Sequence, residues 1–310
     1  GHKSFTRLAG LRRASLTVLT NCEADMNPYH HLVSEYVRHA REAKSYPLGG
    51  FPPAPRPEIA SDAPKALIFS PHPDDECIVG GLALRLLREA RMHVLNVAVT
   101  QGSNPARQAG RLDELKHACD YLGFGLVQTG PSGLEKVNRK TREREPALWQ
   151  PMVRVIAEIL IEHQPRVIFF PHDEDWNSTH EGVHCLVTDA LQSLGTKLRC
   201  FTVEIEYWGQ MDDPNLMVEL TAADVGDLMT ALSFHVGEVK RNPYHLVLPA
   251  WMQDNVRRGG ELVGGQGGAA PDFTFATLYR LRRWTGEGLE RFYQGGRNLP
   301  AGVDPGTLFA

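Results

Sequence analysis

The run Ala66-Leu67-Ile68-Phe69-Ser70-Pro71-His72-Pro73-Asp74-Asp75-Glu76 joins an unbroken apolar segment to one imidazole and three carboxylates. A short apolar run of this kind reads as a strand buried on both faces, and open α/β sheets carry their chemistry at the carboxyl ends of such strands. Acids crowded at that point are costly unless a cation neutralises them. The segment therefore predicts a metal site, and the rest of the chain must supply the missing ligand.

Working outward, strand and helix patterns alternate. Strands are expected over 65–70, 92–99, 124–128, 166–170 and 199–206, with helices over 78–91, 107–122, 148–163 and 180–193. Continuous Val/Ile/Phe runs between helices predict a mostly parallel sheet covered on both faces, an α/β fold. Upstream, residues 29–44 carry helical spacing and 46–58 (YPLGGFPPAPRPE) read as an extended linker that hugs the surface. The expected organisation is an N-terminal helical extension with a Pro-rich linker over 1–62 and a catalytic domain over 63–310, with an irregular C-terminal region. Residues 131–146 read as loop, 222–240 as one long helix, and 257–272 (RRGGELVGGQGGAAPD) as a glycine-rich loop or flap.

A second polar cluster repeats the first. Arg166–Phe170 (RVIFF) is followed by Pro171-His172-Asp173-Glu174-Asp175, then His180 and His184 at i and i+4, one turn apart on one helix face. A parallel sheet can bring two such strand ends together. His72 and Asp75 supply two ligands, and a histidine from the 180–184 segment supplies the third. A His2Asp set with one open position suits Zn²⁺ and also accepts Fe²⁺ or Co²⁺. Adjacent residues on a tight turn point apart, so with Asp75 on the metal Asp74 faces the substrate and takes the proton from an activated water. A further imidazole could stabilise the oxyanion.

Composition narrows the partners. The 310 residues carry 33 Lys and Arg against 37 Asp and Glu, with no basic stripe, which favours a small-molecule or saccharide substrate over nucleic acid. Five widely spaced cysteines without Cys-x-x-Cys read as reduced thiols, predicting a cytoplasmic protein. No apolar run reaches the ~18 residues of a membrane helix. Residues 8–20 lack the full apolar core and cleavage site of a leader. Met26 reads as an alternative start, with 1–25 as loosely held upstream sequence. Neither G-x-G-x-x-G, nor a P-loop, nor G-x-S-x-G is present.

His72-Pro73-Asp74-Asp75-Glu76 after a strand, with a two-histidine segment about a hundred residues on, resembles the PIG-L/LmbE-like family of metal-dependent N-acetylglucosaminyl de-N-acetylases. Val99-Thr100-x-Gly102, Arg111-x-x-Glu114 with Ala118 and Leu122-Gly123, and Ala231-Leu232-x-x-His235 are similar to family segments, so the resemblance spans roughly 65–240. It implies a Rossmann-like three-layer fold and hydrolysis of an N-acetyl group from an aminosugar or glycoconjugate, and it admits a homo-oligomer. His72 and Asp75 would be metal ligands and Asp74 the general base. Aligning Cys185-Leu186-Val187 with the family's helix makes His184 the third ligand and His180 the assisting imidazole. The family spaces its two histidines three apart, not four, which leaves His180 as the alternative ligand. Gln101 stands where the family often has Asp.

Glu76, Arg111, Asp173, Asp175 and His235 are expected around the metal or the substrate. Competing readings are a metal-dependent hydrolase of another amide or a phosphoester, and a non-catalytic saccharide-binding protein.

Overall fold

The computed structural model describes residues 27–310, so segments 8–20 and 1–25 and Cys22 lie outside the described residues. The chain divides into a unit ending at Tyr46 and a compact unit over Pro47–Ala310. In the first, helix α1 (Pro28–Glu42) starts at Asn27, whose side chain accepts from Tyr29 N. In the second, the Pro-rich stretch lies on the domain: Ala54 N donates to Tyr121 O at 3.1 Å and Gly49 N to Ser233 Oγ at 3.2 Å.

The sheet begins with β1 (Lys65–Ser70), β2 (His93–Ala98), β3 (Gly125–Gln128), β4 (Val167–Pro171) and β5 (Cys200–Ile205). It continues through β6 (Leu216–Leu220), β7 (Phe275–Trp284), β8 (Leu289–Arg291) and β9 (Arg297–Leu299). The order is β3-β2-β1-β4-β5-β7-β6-β9, with β8 on β7. The first five strands are mutually parallel, and β7 runs antiparallel to both β5 and β6. The final third of the chain thus extends the sheet rather than trailing from it.

Helices α2 (Asp75–Ile78), α3 (Gly81–Arg88), α4 (Pro105–Leu122), α5 (Arg139–Arg144), α6 (Pro146–His163), α7 (Ser178–Leu194), α8 (Ala222–Ser233), α9 (Val236–Arg241) and α10 (Leu248–Leu262) complete the domain. They divide between two cores, one per sheet face. Ala66, Ile68, Val167 and Phe169 join the core holding Leu82, Leu115 and Leu228, whereas Leu67, Ile168 and Phe170 join the one holding Ile156, Val183 and Leu186. Side chains alternate across a strand, so burial on both faces requires apolar residues at every position. That is why β1 and β4 read as continuous apolar runs.

Four expectations change. The helix read over 78–91 is two pieces, α2 and α3, parted at Val79-Gly80, where the Tyr279 hydroxyl donates to Val79 O at 2.9 Å and accepts from Leu82 N at 3.1 Å. The loop read over 131–146 contains α5, capped by Asn138, whose Oδ1 accepts from Thr141 N at 2.9 Å. The single helix over 222–240 breaks at Phe234-His235, because the His235 side chain is drawn into the domain by Glu76. The glycine-rich segment is helical up to Leu262. There Gly259 packs so closely that an added Cβ would lie 2.5 Å from Met217 Sδ, and only the stretch after Leu262 is irregular.

Among the described residues no helix is long and apolar enough to cross a membrane. Cys77, Cys119, Cys185 and Cys200 are free and buried.

Candidate metal and catalytic site

The strand order reverses direction between β1 and β4, the switch point at which an open parallel sheet leaves a crevice at its carboxyl edge. The loop after β1 and the first turn of α7, which follows β4, meet there. Thr100 Oγ1 donates to Pro71 O at 2.6 Å, holding the start of the first loop. Asp75 opens α2, and its Oδ2 accepts from His72 N at 2.8 Å, folding the carboxylate back over its own loop. Asn177 caps α7 by accepting from Thr179 N at 2.9 Å, which sets His180 in the first turn.

His72, Asp75 and His180 come together, with one ligand atom from each within 4.8 Å of the others. His72 Nδ1 lies 3.2 Å from His180 Nε2, and each of these nitrogens lies 3.4 Å from Asp75 Oδ2. Ligand atoms held ~2.0–2.1 Å from a tetrahedral ion stand about 3.3–3.4 Å apart, so the three atoms fit one face of such a shell. Burial works to raise the Asp75 carboxyl, but the His180 and His72 imidazoles overcome it and hold it well below the usual carboxylate range. Burial opposes charge on His180 too, yet the Asp75 and Asp175 carboxylates raise that imidazole to about 10. The carboxylates that draw a proton to this imidazole would also attract a divalent cation, which must displace that proton to bind.

His184 does not join this cluster. Its Nδ1 bonds Pro171 O at 2.9 Å, its ring tilts against Phe170, and burial depresses its pKa. Two histidines at i and i+4 can share one ion on a helix, so spacing alone does not separate them; here the bond to Pro171 O and the contact with Phe170 turn the His184 ring away from the cluster.

Asp175 stands behind His180, with Oδ2 3.4 Å from His180 Nδ1. Its carboxylate also accepts from Asn177 N at 2.9 Å and Trp208 N at 3.0 Å. A carboxylate behind a ligating histidine fixes the ring and raises its basicity. We expect Asp175→Asn to weaken divalent-metal affinity ~10–100-fold while the fold persists, measured by competition with a chromogenic chelator. Unchanged affinity would count against that role.

Asp74 occupies the position before α2 at φ 115° without capping it. Such a backbone costs on the order of 1–3 kcal/mol and persists only where its surroundings enforce it. Asp74 N donates to Glu76 Oε2 at 2.9 Å, Arg111 donates to Pro73 O at 2.8 Å, and the Tyr244 hydroxyl donates to Asp74 Oδ2 at 2.5 Å. Gly102, at φ 84°, makes room for Arg111, since a Cβ there would lie 2.4 Å from its Nη1. Burial, then the Asp75 charge, raise the Asp74 carboxyl to about 6, against the opposing effects of His235, Arg111 and Tyr244. Glu76 turns inward to His235 Nε2 at 2.6 Å, both residues being fully buried, so this pair braces the turn from beneath.

Asp173 faces elsewhere. It pairs with Arg280 of β7 at 2.5 Å, and although burial opposes ionisation, the guanidinium holds its carboxyl down at about 2. His172 is buried and its ring hydrogen-bonds Gly209 O at 2.9 Å, tethering the loop after β5. That loop and the turn at Tyr244–Val247 bring Tyr207 and Tyr244, which the sequence reading missed. The Tyr207 ring meets His180 edge-on at 4.9 Å, and among the described residues its buried hydroxyl has no partner. Nothing local in the sequence marks either tyrosine, because the strand and helix that carry them inward are set by tertiary packing.

Beside His72 a polar cavity of ≈ 380 Å³ opens, lined in part by Thr100, Ser103, Gln108, Lys136 and Asn138.

Residues 67–191 match the family model PIG-L, described as GlcNAc-PI de-N-acetylase. No curated protein matches the chain. Similar solved structures include the conserved protein TT1542 from Thermus thermophilus, 18% identical, covering 69% of this chain and 93% of that one at TM-score 0.50. Another is the 4-carboxy-2-hydroxymuconate hydratase GalB from Pseudomonas putida, 17% identical, covering 70% and 95% at 0.50. A third is a triple mutant of the deacetylase of the teicoplanin biosynthetic pathway, 16% identical, covering 71% and 98% at 0.51. At these identities the likeness establishes the Rossmann-like fold alone, which a hydratase and a deacetylase share.

Proposed function

We propose that this chain, whose residues 67–191 match the PIG-L family model, is a metal-dependent de-N-acetylase acting on an N-acetylaminosugar derivative. The observation that carries the reading is the triangle of His72 Nδ1, Asp75 Oδ2 and His180 Nε2, with edges of 3.2–3.4 Å, beside an ionisable Asp74. His72, Asp75 and His180 would hold the ion, with Zn²⁺ the first choice and Fe²⁺ or Co²⁺ compatible with the same ligands. A divalent ion there supplies Lewis acidity and brings the pKa of water towards roughly 7.

The remaining steps belong to the chain. The Asp74 carboxylate accepts the proton of the attacking water, and the Tyr244 hydroxyl fixes which oxygen is free to do so. Arg111 and the Glu76–His235 pair keep the strained turn in place. A carboxyl poised near neutrality can then return the proton to the departing amine as the C–N bond breaks, releasing acetate. His180, as a ligand backed by Asp175, orients the site rather than serving as a free imidazole. His184 supports the strand end at Pro171.

The test is mass spectrometry of an N-acetylaminosugar panel with metal-loaded and chelator-treated protein. Loss of one acetyl group per product, abolished by chelation and restored by Zn²⁺, is the expected result. Undiminished turnover by metal-free protein, or phosphate release from esters without acetyl loss, would overturn the reading.

A further inference from the structure

The approach to Asp74 carries aromatic side chains that the reaction above leaves unused. Trp176 is 71% exposed and Trp208 45% exposed, with ring centroids 6.1 Å apart. Trp208 lies 6.1 Å from the ring of Tyr244, whose hydroxyl holds Asp74. The three rings form a ladder from solvent to the base. Tryptophan buries ~150–250 Å² when covered, so two adjacent rings left in water are an unfavourable arrangement that a ligand would relieve.

This ridge is anchored to the ligand cluster. Trp176 follows Asp175 in the chain, and Trp208 N donates to the same carboxylate that stands 3.4 Å from His180 Nδ1. Gly209 N donates to it at 3.3 Å, and an added Cβ at Gly209 would lie 2.9 Å from Asp175 Cα, so the loop bearing Trp208 is pressed against the loop bearing Trp176. The backbone that carries both rings is therefore placed before any substrate arrives, which reduces the ordering cost of binding.

We propose that Trp176 and Trp208 form a stacking subsite for a second sugar ring, so that the preferred substrate is a glycan of at least two pyranoses. This rests on the de-N-acetylase reading. A pyranose suits the surface because its C–H face is apolar while its rim of hydroxyls stays in water. The rings are tilted 52° to each other on an open ridge. An acyl chain would call for an enclosed apolar channel, whereas the cavity next to His72 is open and mixes Leu134 and Val137 with Ser103, Gln108 and Asn138.

The probes are N-acetylglucosamine and its β-1,4-linked dimer and trimer. The ratio of kcat/KM for dimer over monomer should fall about ten-fold in Trp176→Ala and in Trp208→Ala, through KM, with partial recovery in the Phe variants. Independently of turnover, the trimer should quench tryptophan fluorescence of the Asp74→Asn protein, and the Trp176→Ala/Trp208→Ala pair should lose that response. An unchanged dimer preference together with unchanged quenching would overturn the subsite. Failure of every sugar to lose acetate would instead sink the reaction, and the fluorescence titration would still decide the subsite.

Discussion

Asp74→Asn should lower kcat on any accepted N-acetyl substrate by ~10²–10⁴-fold, or roughly 3–5.5 kcal/mol of barrier, with metal content unchanged. Asparagine suits the test because it tolerates positive φ nearly as well as aspartate, so the backbone at 115° need not relax. Alanine would confound a lost base with released strain. The amide can still accept from Tyr244 but cannot take a proton. Retention of wild-type turnover by Asp74→Asn would refute the assigned base.

The pH dependence follows from the same group. A base must be ionised to act, and the Asp74 carboxyl, raised to about 6 by burial and by Asp75, loses activity as pH falls through its pKa. Binding of a cation nearby favours the ionised form and moves that limb further to acid. Tyr244 donates to the ionised carboxylate, so Tyr244→Phe should move the limb the other way, to higher pH. A pH–rate profile of kcat/KM for the two proteins measures both effects.

The second large effect separates the two histidines of α7. His180→Ala should abolish stoichiometric metal and, with it, activity, because it removes one corner of the 3.2–3.4 Å triangle and leaves Asp175 without its partner. His184→Ala should retain the metal. Its expected cost is stability, on the order of 1–3 kcal/mol, from the unpaired Pro171 carbonyl and the space left beside Phe170. Metal analysis by inductively coupled plasma mass spectrometry, with thermal denaturation alongside, reads both. Metal lost from His184→Ala but kept by His180→Ala would reverse the assignment.

Much of the site was legible before any tertiary structure. The residues from His72 to Glu76 are local chemistry: one loop at one strand end, where apolar alternation stops and acids begin. The two-histidine segment was legible for the same reason. Which histidine arrives was not. Both lie on one helix face, and the choice depends on how far α7 enters the crevice, a matter of packing α7 against β4 and β1. Family-like helix continuity pointed to His184, whereas in the fold its ring is engaged by the Pro171 carbonyl and Phe170.

The same division runs through the fold. Runs buried on both faces, such as Ala66–Phe69 and Val167–Phe170, announce parallel strands because every position must be apolar. They also announce a polar crevice at the ends where they stop. The antiparallel extension by β6 and β7, the break at His235, and the arrival of Tyr207, Trp208 and Tyr244 beside Asp74 and Asp175 were set by tertiary structure alone. These side chains reach the site by contacts with residues 33 to 170 positions away, and no local pattern encodes a contact of that range. By itself the sequence determined an α/β domain with acid and imidazole clusters at the ends of two strands. The packing of α7 and of the loop after β5 decided that His180, not His184, meets His72 and Asp75 and that aromatic rings flank them, because each of these contacts joins segments far apart in the chain.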